Sequence, residues 1–434
     1  MTGPLAPGEP AGLELRLTAA QRLGEVLGGT RFVPLGAGDV AEPRDRALGN
    51  RLITTALRRH GHLNIAIGRL LERGLPARAG SFEATLRLAL AQLLYLPEVG
   101  AHSALFLAVE AVKRDRKAAH LAKLMNAVLR RAQADADALR ELPSAALFPE
   151  KLAARWRGRY GAEALDGFAR ALLEGAPLDL TLKDPAAAEL PGATPVFADV
   201  VRLDHRDRRI EDLPGYAEGR WWVQDLAASL PARLLALPPG ARVADLCAAP
   251  GGKTAQLIKA GYVVTAVDSD RVRLDRLGGN LGRLGFEAEL VEADMRRFTP
   301  AAPFDGVLLD APCSATGTFR RHPEVVWHRS TADIAGRMAL QRELLSAAWR
   351  LLEPGGMLVY CVCSLEPEEG EAQAEWALAN LPDIRPEPIS PATLAPLTQA
   401  VTADGNLRTH PAMAVPGAPA GTLDGFFAAR FRRG

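Results

Sequence analysis

The stretch at residues 245–254, D-L-C-A-A-P-G-G-K-T, constrains the fold more than any other part of the sequence. Residues 241–247 are small or apolar apart from two charged side chains, and they predict a short buried strand. Residues 254–260 predict a helix, with Thr254 as its N-cap. Between them, residues 248–252 carry almost no side-chain bulk, so a ligand can approach the backbone closely. Strand, small-residue turn and helix is a typical ligand site at the carboxyl edge of an α/β sheet.

The spacing within this turn excludes two common nucleotide-binding motifs. A phosphate-binding P-loop requires glycine five residues before Gly252-Lys253-Thr254, and that position is Cys247. A dinucleotide fingerprint requires G-x-G-x-x-G, and only the pair Gly251-Gly252 is present. A ligand with an adenosyl group but no pyrophosphate remains, and S-adenosylmethionine is the leading candidate. A purely structural turn is the alternative.

From residue 241 onward, predicted strands and helices alternate. This order is typical of a parallel sheet flanked by helices. The predicted strands are residues 241–247, 263–268, 287–291, 305–310 and 357–363, and the predicted helices among them are residues 254–260, 271–284 and 331–352. A further helix is predicted at residues 226–235, just before the first of these strands. We expect Pro354-Gly355-Gly356 to separate the last helix from the last strand.

Acids and thiols follow the predicted strands at their carboxyl ends. Asp268 lies about twenty residues after the glycines, where an acid can accept hydrogen bonds from ribose hydroxyls. As an alternative, Asp268 or Asp270 caps the helix at residues 271–284. Asp294 follows the strand at residues 287–291, and Asp310 ends the strand at residues 305–310 and runs into A-P-C-S-A-T-G at residues 311–317. Such a set at one sheet edge predicts a ligand site.

All four cysteines lie in the second half of the chain, at positions 247, 313, 361 and 363. Their spacing lacks paired C-x-x-C knuckles, which argues against structural zinc, and we predict no metal. Four cysteines in 434 residues also argue against a disulfide scaffold, so we expect a cytoplasmic protein. The sequence shows no apolar run of membrane-spanning length and no signal peptide at its start, so we expect no membrane partner.

The front of the chain differs from the rest in composition and charge. Residues 1–12 are rich in proline and glycine and predict a disordered tail. Residues 13–140 show helical leucine spacing, and residues 1–140 carry 20 Lys and Arg against 13 Asp and Glu, although the whole chain has a net charge of only +1. This basic surplus suits a polyanion partner. It equally suits an ordinary solvated helical surface.

Residues 141–234 predict a smaller mixed segment. Alternation favours a strand at residues 177–184, and residues 200–203 and 209–214 are candidates for further strands. Trp221 and Trp222, which precede the helix at residues 226–235, favour domain packing over stacking on bases.

Thiols beside a methyl donor suggest one particular reaction. The C5 carbon of cytosine is a poor nucleophile, but addition of a thiolate to C6 makes C5 nucleophilic towards a methyl group. A base then removes the C5 proton and the sulfur leaves, and a second cysteine can assist this release. The attacking group must be thiolate, so its site must favour ionisation.

Three motifs resemble those of the RsmB/Sun (Fmu) family of RNA cytosine-C5 methyltransferases: residues 245–254, 310–317 and 360–364. The resemblance extends over nearly the whole chain. Residues 44–131 resemble the NusB-like RNA-binding domain of this family, and residues 219–225 resemble its linker motif. Residues 405–409 and 424–430 resemble its C-terminal hairpin and last strand.

The resemblance implies roles for individual residues. Cys363 matches the nucleophile, Cys313 the cysteine of product release, and Asp310 a carboxylate near both donor and cytosine. Asp268 matches the ribose acid and Asp294 the acid at the adenine amino group. Seven consecutive residues match the family's loop around the methionine part of S-adenosylmethionine: Cys247, Ala248, Ala249, Pro250, Gly251, Gly252 and Lys253.

One motif departs from the family pattern. The family usually has Tyr-Ser/Ala-Thr-Cys-Ser, whereas this chain has Cys361 and Val362 before Cys363-Ser364. Residues i and i+2 share one face of a strand, so geometry alone leaves Cys361 open as nucleophile. The register against the following S-L-E-P-E-E favours Cys363.

The resemblance implies a class I, Rossmann-like α/β S-adenosylmethionine-dependent methyltransferase domain, preceded by an all-α NusB-like bundle and a small α+β linker domain. We predict a tail at 1–12, the NusB-like domain at 13–140, the linker at 141–234 and the methyltransferase domain at 235–434. The expected activity is cytosine-C5 methylation of RNA, with 16S rRNA as the favoured substrate and a monomer as the expected state. Methylation of transfer RNA and a non-catalytic role in ribosome assembly are the alternatives.

Overall fold

The computed structural model describes residues 10–185, 190–203, 209–418 and 422–434 of the chain. These residues form two compact units. The first unit runs to Leu173 and also contains His322–His328, and the second comprises the described parts of Glu174–Arg321 and Arg329–Gly434. Of the predicted disordered tail, residues 1–9 lie outside the described ranges, and residues 10–12 lead into the first helix.

Helices account for all the regular structure described in the first unit, as the leucine spacing predicts. The α-helices are α1 (Leu13–Leu27), α2 (Pro43–Arg58), α3 (His60–Leu70), α4 (Phe82–Tyr95), α5 (Ala101–Arg114), α6 (Ala122–Ala134), α7 (Ala136–Arg140), α8 (Glu150–Tyr160) and α9 (Ala162–Glu174). Helix α4 is buried on nearly all sides because α1, α2, α5 and α6 pack around it. The unit is therefore a helical bundle with α4 at its centre.

A small antiparallel sheet begins the second unit. Its strands are β1 (Leu178–Leu182), β2 (Ala193–Phe197), β3 (Val200–Leu203) and β4 (Trp221–Val223), in the order β2-β3-β1-β4. The strands predicted at 177–184 and 200–203 are confirmed. The strand considered at 209–214 is wrong, because Ile210–Asp212 forms a 3₁₀ turn in which the Asp212 amide bonds to the Arg209 carbonyl. Trp221 and Trp222 are both buried, which agrees with the packing role.

The larger sheet contains parallel strands flanked by helices, as predicted. Its strands are β5 (Arg242–Leu246), β6 (Val263–Asp268), β7 (Glu289–Glu292), β8 (Phe304–Asp310), β9 (Leu352–Val362), β10 (Ile384–Pro386), β11 (Leu407–Thr409) and β12 (Phe426–Arg433). The helices are α10 (Leu226–Arg233), α11 (Gly252–Lys259), α12 (Arg271–Leu284), α13 (Thr331–Arg350) and α14 (Glu371–Asn380). The order β10-β12-β9-β8-β5-β6-β7, with β11 on β12, places antiparallel strands beyond β9.

The order of the central strands brings the predicted site residues to one edge. Strands β9, β8, β5, β6 and β7 are successive parallel neighbours, so their carboxyl ends lie together. In this register, Asp310 of β8 is opposite Cys361 of β9. The turn after β5 is flanked by the ends of β6 and β8.

The N-terminus of α11 differs from the prediction. The helix begins at Gly252, and its N-cap residue is Gly251 rather than Thr254. Thr254 lies within the first turn, and its hydroxyl donates a 2.6 Å hydrogen bond to Oδ2 of Asp245. A tertiary partner in the preceding strand therefore replaces the local capping interaction.

Pro354-Gly355-Gly356 was predicted to separate the last helix from the last strand, but it lies inside β9. Helix α13 ends at Arg350, and pairing with β8 already begins at Leu352. The register shifts across the Pro-Gly-Gly segment and resumes at Met357, which is expected where a proline cannot donate a ladder hydrogen bond. Although α13 has 20 residues, no described helix is both long enough and apolar enough to cross a membrane.

Candidate active site

The glycine turn, which we define as residues 247–253, has a backbone that only small residues allow. Cys247 and Gly251 both have positive φ angles, of 60° and 99°. A Cβ atom added at Gly251 would lie 2.8 Å from Cγ of Leu277, closer than real Cβ contacts. The Ala248 amide donates to the Val267 carbonyl at 3.2 Å, which fixes the turn against β6. The turn is thus held tightly from behind.

Asp268, at the end of β6, accepts a hydrogen bond from the backbone of this turn. Its Oδ2 accepts a bond of 3.1 Å from the Ala249 amide, and its Oδ1 accepts one of 3.1 Å from the Asp270 amide. Arg273 adds an ion pair at 3.4 Å. Because a carboxylate offers about four acceptor positions, one remains for a ligand hydroxyl. The helix cap is Asp270, whose side chain accepts from the Arg273 amide.

Asp294 lies just beyond β7, and the chain there is bonded to β6 through the Ala293 amide and the Asp268 carbonyl. Both of its carboxylate oxygens accept hydrogen bonds from Arg296, the shortest at 2.7 Å. These hydrogen bonds lower the pKa of Asp294 to about 2. The pair is partly exposed, so its partners can exchange when a ligand binds.

Lys253 and Asp310 connect the glycine turn with the end of β8. The Lys253 ammonium donates to Oδ2 of Asp310 at 2.8 Å and lies 5.2 Å from the ring centroid of Phe426. Burial disfavours the ammonium, but the Asp310 carboxylate outweighs it and raises the pKa of Lys253 above its ordinary value. The Lys253 ammonium therefore keeps its charge, and the Asp310 side chain is 30% exposed.

Asp245 is a buried acid that the sequence analysis did not single out. Its Oδ2 accepts the Thr254 hydroxyl, but its Oδ1 is buried with no hydrogen-bond partner in the described structure. Burial raises the pKa of Asp245 to about 7, despite the Thr254 hydrogen bond and the nearby Lys253 ammonium. The available signal was an acid in an otherwise small or apolar stretch just before the turn.

Cys313 and Cys363, which we call the thiol pair, are in contact. Their sulfur atoms are 3.4 Å apart. Cys363 directly follows β9 and is partly exposed, whereas Cys313, in the loop after β8, is buried. The hydrogen bond with Cys363, together with burial, raises the pKa of the Cys313 thiol well above its usual value. Cys313 therefore holds its proton and can donate it towards the Cys363 sulfur.

The other two cysteines have environments that oppose ionisation. Cys361 is fully buried, and its thiol faces Oδ1 of Asp310 at 3.6 Å. Burial and the Asp310 charge raise the pKa of Cys361 well above its usual value. Burial also raises the pKa of Cys247 to about 12, with Asp310 contributing. Of the two thiols on β9 and its end, only Cys363 is both accessible and in contact with Cys313.

Two buried polar networks support the loop that carries Cys313, and no local sequence pattern indicates either of them. Arg320 is fully buried between Asp225, at 2.6 Å, and Asp424, at 2.9 Å. Arg321 also pairs with Asp424. These ion pairs join the loop to the start of α10 and to the C-terminal region. The second network surrounds Glu369, which accepts hydrogen bonds from residues next to both thiols.

The described residues contain no cluster of three or more His, Cys, Asp or Glu side chains arranged to hold a metal ion. The donor atoms at the sheet edge are instead carboxylates, thiols and backbone amides around a small-residue turn. A small-residue turn flanked by acceptors fits a ligand with a hydroxylated sugar and an amino-substituted ring. The sequence-predicted residues of the turn, Asp268, Asp294, Asp310 and the thiol pair all lie along this edge.

Comparisons with known proteins agree with this arrangement. A family model described as 16S rRNA methyltransferase RsmB/F matches residues 232–432, and a NusB family model matches residues 30–134. Ribosomal RNA small subunit methyltransferase B from Xanthomonas campestris pv. campestris is 39% identical, covering 87% of this chain and 91% of that protein.

Two solved structures share the fold. The structure of PH0851 superposes with a TM-score of 0.75 at 23% identity, covering 98% of this chain and 99% of that one. A methyltransferase homolog protein from Pyrococcus horikoshii gives a TM-score of 0.54 at 28% identity, covering 66% of this chain and 95% of that one.

Proposed function

Because this chain belongs to the RsmB/F family of 16S rRNA methyltransferases, we propose that it methylates carbon C5 of a cytosine in 16S rRNA through a covalent cysteine adduct. The observation that carries the proposal is the thiol pair. Two sulfurs in contact, one accessible and one protonated, lie at the edge that also carries the glycine turn. Thiols so placed match a reaction that forms a carbon–sulfur bond and then breaks it.

S-adenosylmethionine is the cofactor, and when bound it supplies a methyl group carried on a positively charged sulfur. We assign residues 247–253 to its methionine part, Asp268 to the ribose hydroxyls and Asp294 to the adenine amino group. The spare acceptor position of Asp268 supports this assignment. Because the Asp294–Arg296 ion pair is partly exposed, one oxygen of Asp294 can exchange Arg296 for the adenine amino group at little cost in free energy.

Cys363 is the proposed nucleophile. Its thiolate forms a bond with C6 of the cytosine, and the electron pair of the C5–C6 double bond moves to C5, which then accepts the methyl group. Three features favour Cys363 over Cys361: it is partly exposed, its sulfur contacts Cys313, and it avoids the carboxylate that Cys361 faces. A thiol beside a carboxylate is the poorer source of thiolate.

Cys313 is the proposed residue of product release. After methyl transfer a base removes the C5 proton, the C5–C6 double bond re-forms and the bond between Cys363 and C6 breaks. The electron pair of that bond returns to the Cys363 sulfur. The Cys313 thiol, 3.4 Å away and protonated, stabilises the departing thiolate by a hydrogen bond.

Asp310 is proposed to lie between donor and cytosine. One oxygen is fixed by the Lys253 ammonium, while the side chain remains 30% exposed and can meet a base. The Asp310 carboxylate can offer an acceptor to the amino group of cytosine.

The RNA substrate is proposed to engage the helical unit. The basic surplus of residues 1–140 and the NusB family match at residues 30–134 both support a polyanion partner there. The target cytosine must leave its stack to reach the thiol pair. We place the enzyme in the cytoplasm because the reaction needs free thiols, and all four cysteines are free.

Bisulfite sequencing tests this function and its substrate together. RNA is compared from the parent strain, a deletion strain and deletion strains complemented with the normal gene or with Cys363→Ala. We expect one or more 16S cytosines to lose protection in the deletion strain and to regain it only with the normal gene. Loss confined to transfer RNA would replace the substrate assignment. Unchanged RNA in all strains would favour a non-catalytic assembly factor.

A further inference from the structure

The thiol pair belongs to two matching dipeptides. Cys313-Ser314 follows β8, and Cys363-Ser364 follows β9. The two sulfurs are 3.4 Å apart, and the two serine hydroxyls are 3.1 Å apart. Each cysteine is therefore followed directly by a serine, and the two serine hydroxyls are in contact. A shift of either serine would also displace the sulfur of the cysteine before it.

Glu369 accepts hydrogen bonds from both serines. Its Oε2 accepts both hydroxyls, that of Ser364 at 2.6 Å, and its Oε1 accepts the Ser314 amide at 2.8 Å. The side-chain amide of Gln341 donates to Oε1 at 3.3 Å. One carboxylate thus binds the loop after β8 and the end of β9 at the same time.

This carboxylate is completely buried, although burying a charge is costly. The four donors that reach it are two hydroxyls, a backbone amide and a side-chain amide, all of them neutral groups. Its own backbone is fixed as well, because the buried Tyr360 hydroxyl donates to the Glu369 carbonyl at 2.6 Å. An apolar side chain would pack here without that desolvation, but it would remove the acceptor that the Ser314 amide and both serine hydroxyls share.

We propose that Glu369 is a positioning residue that holds the two Cys-Ser dipeptides and thereby sets the contact between the two thiols. The inference rests on the proposed function, which gives Cys363 and Cys313 their chemical roles. Glu369 touches neither sulfur through any hydrogen bond described; it acts through Ser314 and Ser364.

The surroundings of the dipeptides agree with this role. The Gly317 amide donates to the Cys363 carbonyl at 3.1 Å, and Arg408 donates to the Ser364 carbonyl at 2.6 Å. These bonds fix the backbone, whereas the Glu369 bonds fix the side chains that lie between loop and strand. The negative charge of Glu369 also contributes to the raised pKa of Cys313, after the Cys363 hydrogen bond and burial.

The test measures the thiol contact directly in the full-length chain. A diazene oxidant, diamide, takes two electrons and two protons from a thiol pair, and the rate of Cys313–Cys363 disulfide formation is followed by mass spectrometry of peptides. The variants are Glu369→Ala, Glu369→Gln and Glu369→Asp, with Glu375→Gln as a matched control because Glu375 is exposed on α14. All rates are measured well below the unfolding temperature of each variant.

We expect Glu369→Ala and Glu369→Asp to slow disulfide formation at least about tenfold, and to lower kcat by up to about 10²-fold with KM for RNA unchanged. The shorter aspartate keeps the charge but cannot reach both serines. Glu369→Gln is expected to retain most of the rate, since its carbonyl still accepts the Ser314 amide. Glu375→Gln is expected to match the normal chain.

Normal disulfide rates in the Ala and Asp variants would overturn the inference, even if their melting temperatures fall. If Glu369→Ala does not fold, the Asp variant decides alone. Failure of the proposed function is separate: an active Cys363→Ala enzyme would refute that function while leaving the disulfide rates and their dependence on Glu369 interpretable.

Discussion

The glycine turn and the thiol pair lie at the same sheet edge, but they are held by opposite means. The turn depends on its backbone and on a lack of side-chain bulk. Cys247 and Gly251 have positive φ angles, and there is no room for a Cβ at Gly251. The thiol pair depends on side chains that are present, namely Ser314, Ser364 and the buried Glu369.

This difference predicts different modes of failure. At the turn, added atoms should displace the backbone and weaken donor binding while leaving the sulfur chemistry intact. At the thiol pair, removed atoms should impair the chemistry while leaving donor binding intact. Under the proposed function, binding of the methyl donor and alignment of the two sulfurs are therefore expected to depend on different parts of the same sheet edge.

The largest effect is expected from Cys363→Ala. Loss of the proposed nucleophile should lower methyl transfer by more than about 10⁴-fold. Donor affinity should remain within about twofold, since the turn is untouched. Transfer of a radiolabelled methyl group to 16S rRNA and calorimetry of donor binding measure the two quantities.

Cys361→Ala is the matched control, because it removes a thiol from the same face of β9. This variant should stay active within about tenfold, the change arising from altered packing near Asp310. Full activity in Cys363→Ala together with loss in Cys361→Ala would reverse the assignment of the nucleophile.

Cys313→Ala should separate bond formation from bond breaking within the thiol pair. We expect turnover to fall by about 10²-fold or more, because the departing sulfur loses its hydrogen-bond donor. The RNA should accumulate as a covalent adduct, visible as a band of reduced mobility that survives denaturant. Adding Cys363→Ala to the same chain should abolish the band. Product released from Cys313→Ala at the normal rate would contradict the role.

Gly251→Ala examines the other side of the comparison. The left-handed backbone and the contact with Leu277 should together lower the free energy of unfolding by about 2–4 kcal/mol. Donor binding should weaken about tenfold, equivalent to about 1.4 kcal/mol. Gly279→Ala is the control, because nothing lies within 4 Å of its added Cβ, and in α12 it should be neutral or stabilising. Urea denaturation and donor calorimetry measure the two quantities. If the turn had room for a Cβ atom at residue 251, the two variants would show the same stability and the same donor affinity.

The smallest effect concerns the pH dependence of stability through Asp245. Its pKa is raised to about 7 by burial, so between about pH 4 and pH 7 the folded chain holds a proton that the unfolded chain has lost. The contribution of Asp245 to the free energy of unfolding therefore decreases as the pH rises through that window.

Asp245→Asn removes this titration. The unfolding free energy of the variant should gain about 1–4 kcal/mol relative to the normal chain between about pH 4.5 and pH 7.5. Urea denaturation at both pH values measures the change, with Asp404→Asn, an exposed aspartate, as control. A constant difference across the window would show that Asp245 is ionised in the folded chain.

Local interactions explain where the sequence was sufficient. The bounds of β6 and α12 agree with the prediction, because an apolar run ends at Asp268 and the next cap, Asp270, bonds to a residue three positions on. The acids and thiols of the site were found because the parallel strands carry them to one edge in any register. Family resemblance then supplied their expected roles.

Tertiary contacts explain where the sequence was insufficient. Thr254 bonds to Asp245 rather than capping its helix, and the Pro-Gly-Gly segment is drawn into the sheet by pairing with β8. Glu369 could not be identified as a support of the thiols, since its partner Ser314 lies 55 residues away. That interaction becomes visible only when the structure places the loop after β8 against the loop after β9.

The discontinuous first unit has a consequence for synthesis on the ribosome. Its segment His322–His328 contributes the Glu324 carboxylate, which accepts the Phe32 amide at 3.1 Å, and Trp327, whose ring lies 4.4 Å from that of His60. A nascent chain must be elongated by the 148 residues from 174 to 321 before that segment is even translated. The helical unit therefore emerges first yet is completed late, because its last contacts can form only after four of the eight strands of the larger sheet, β5 to β8, have been translated.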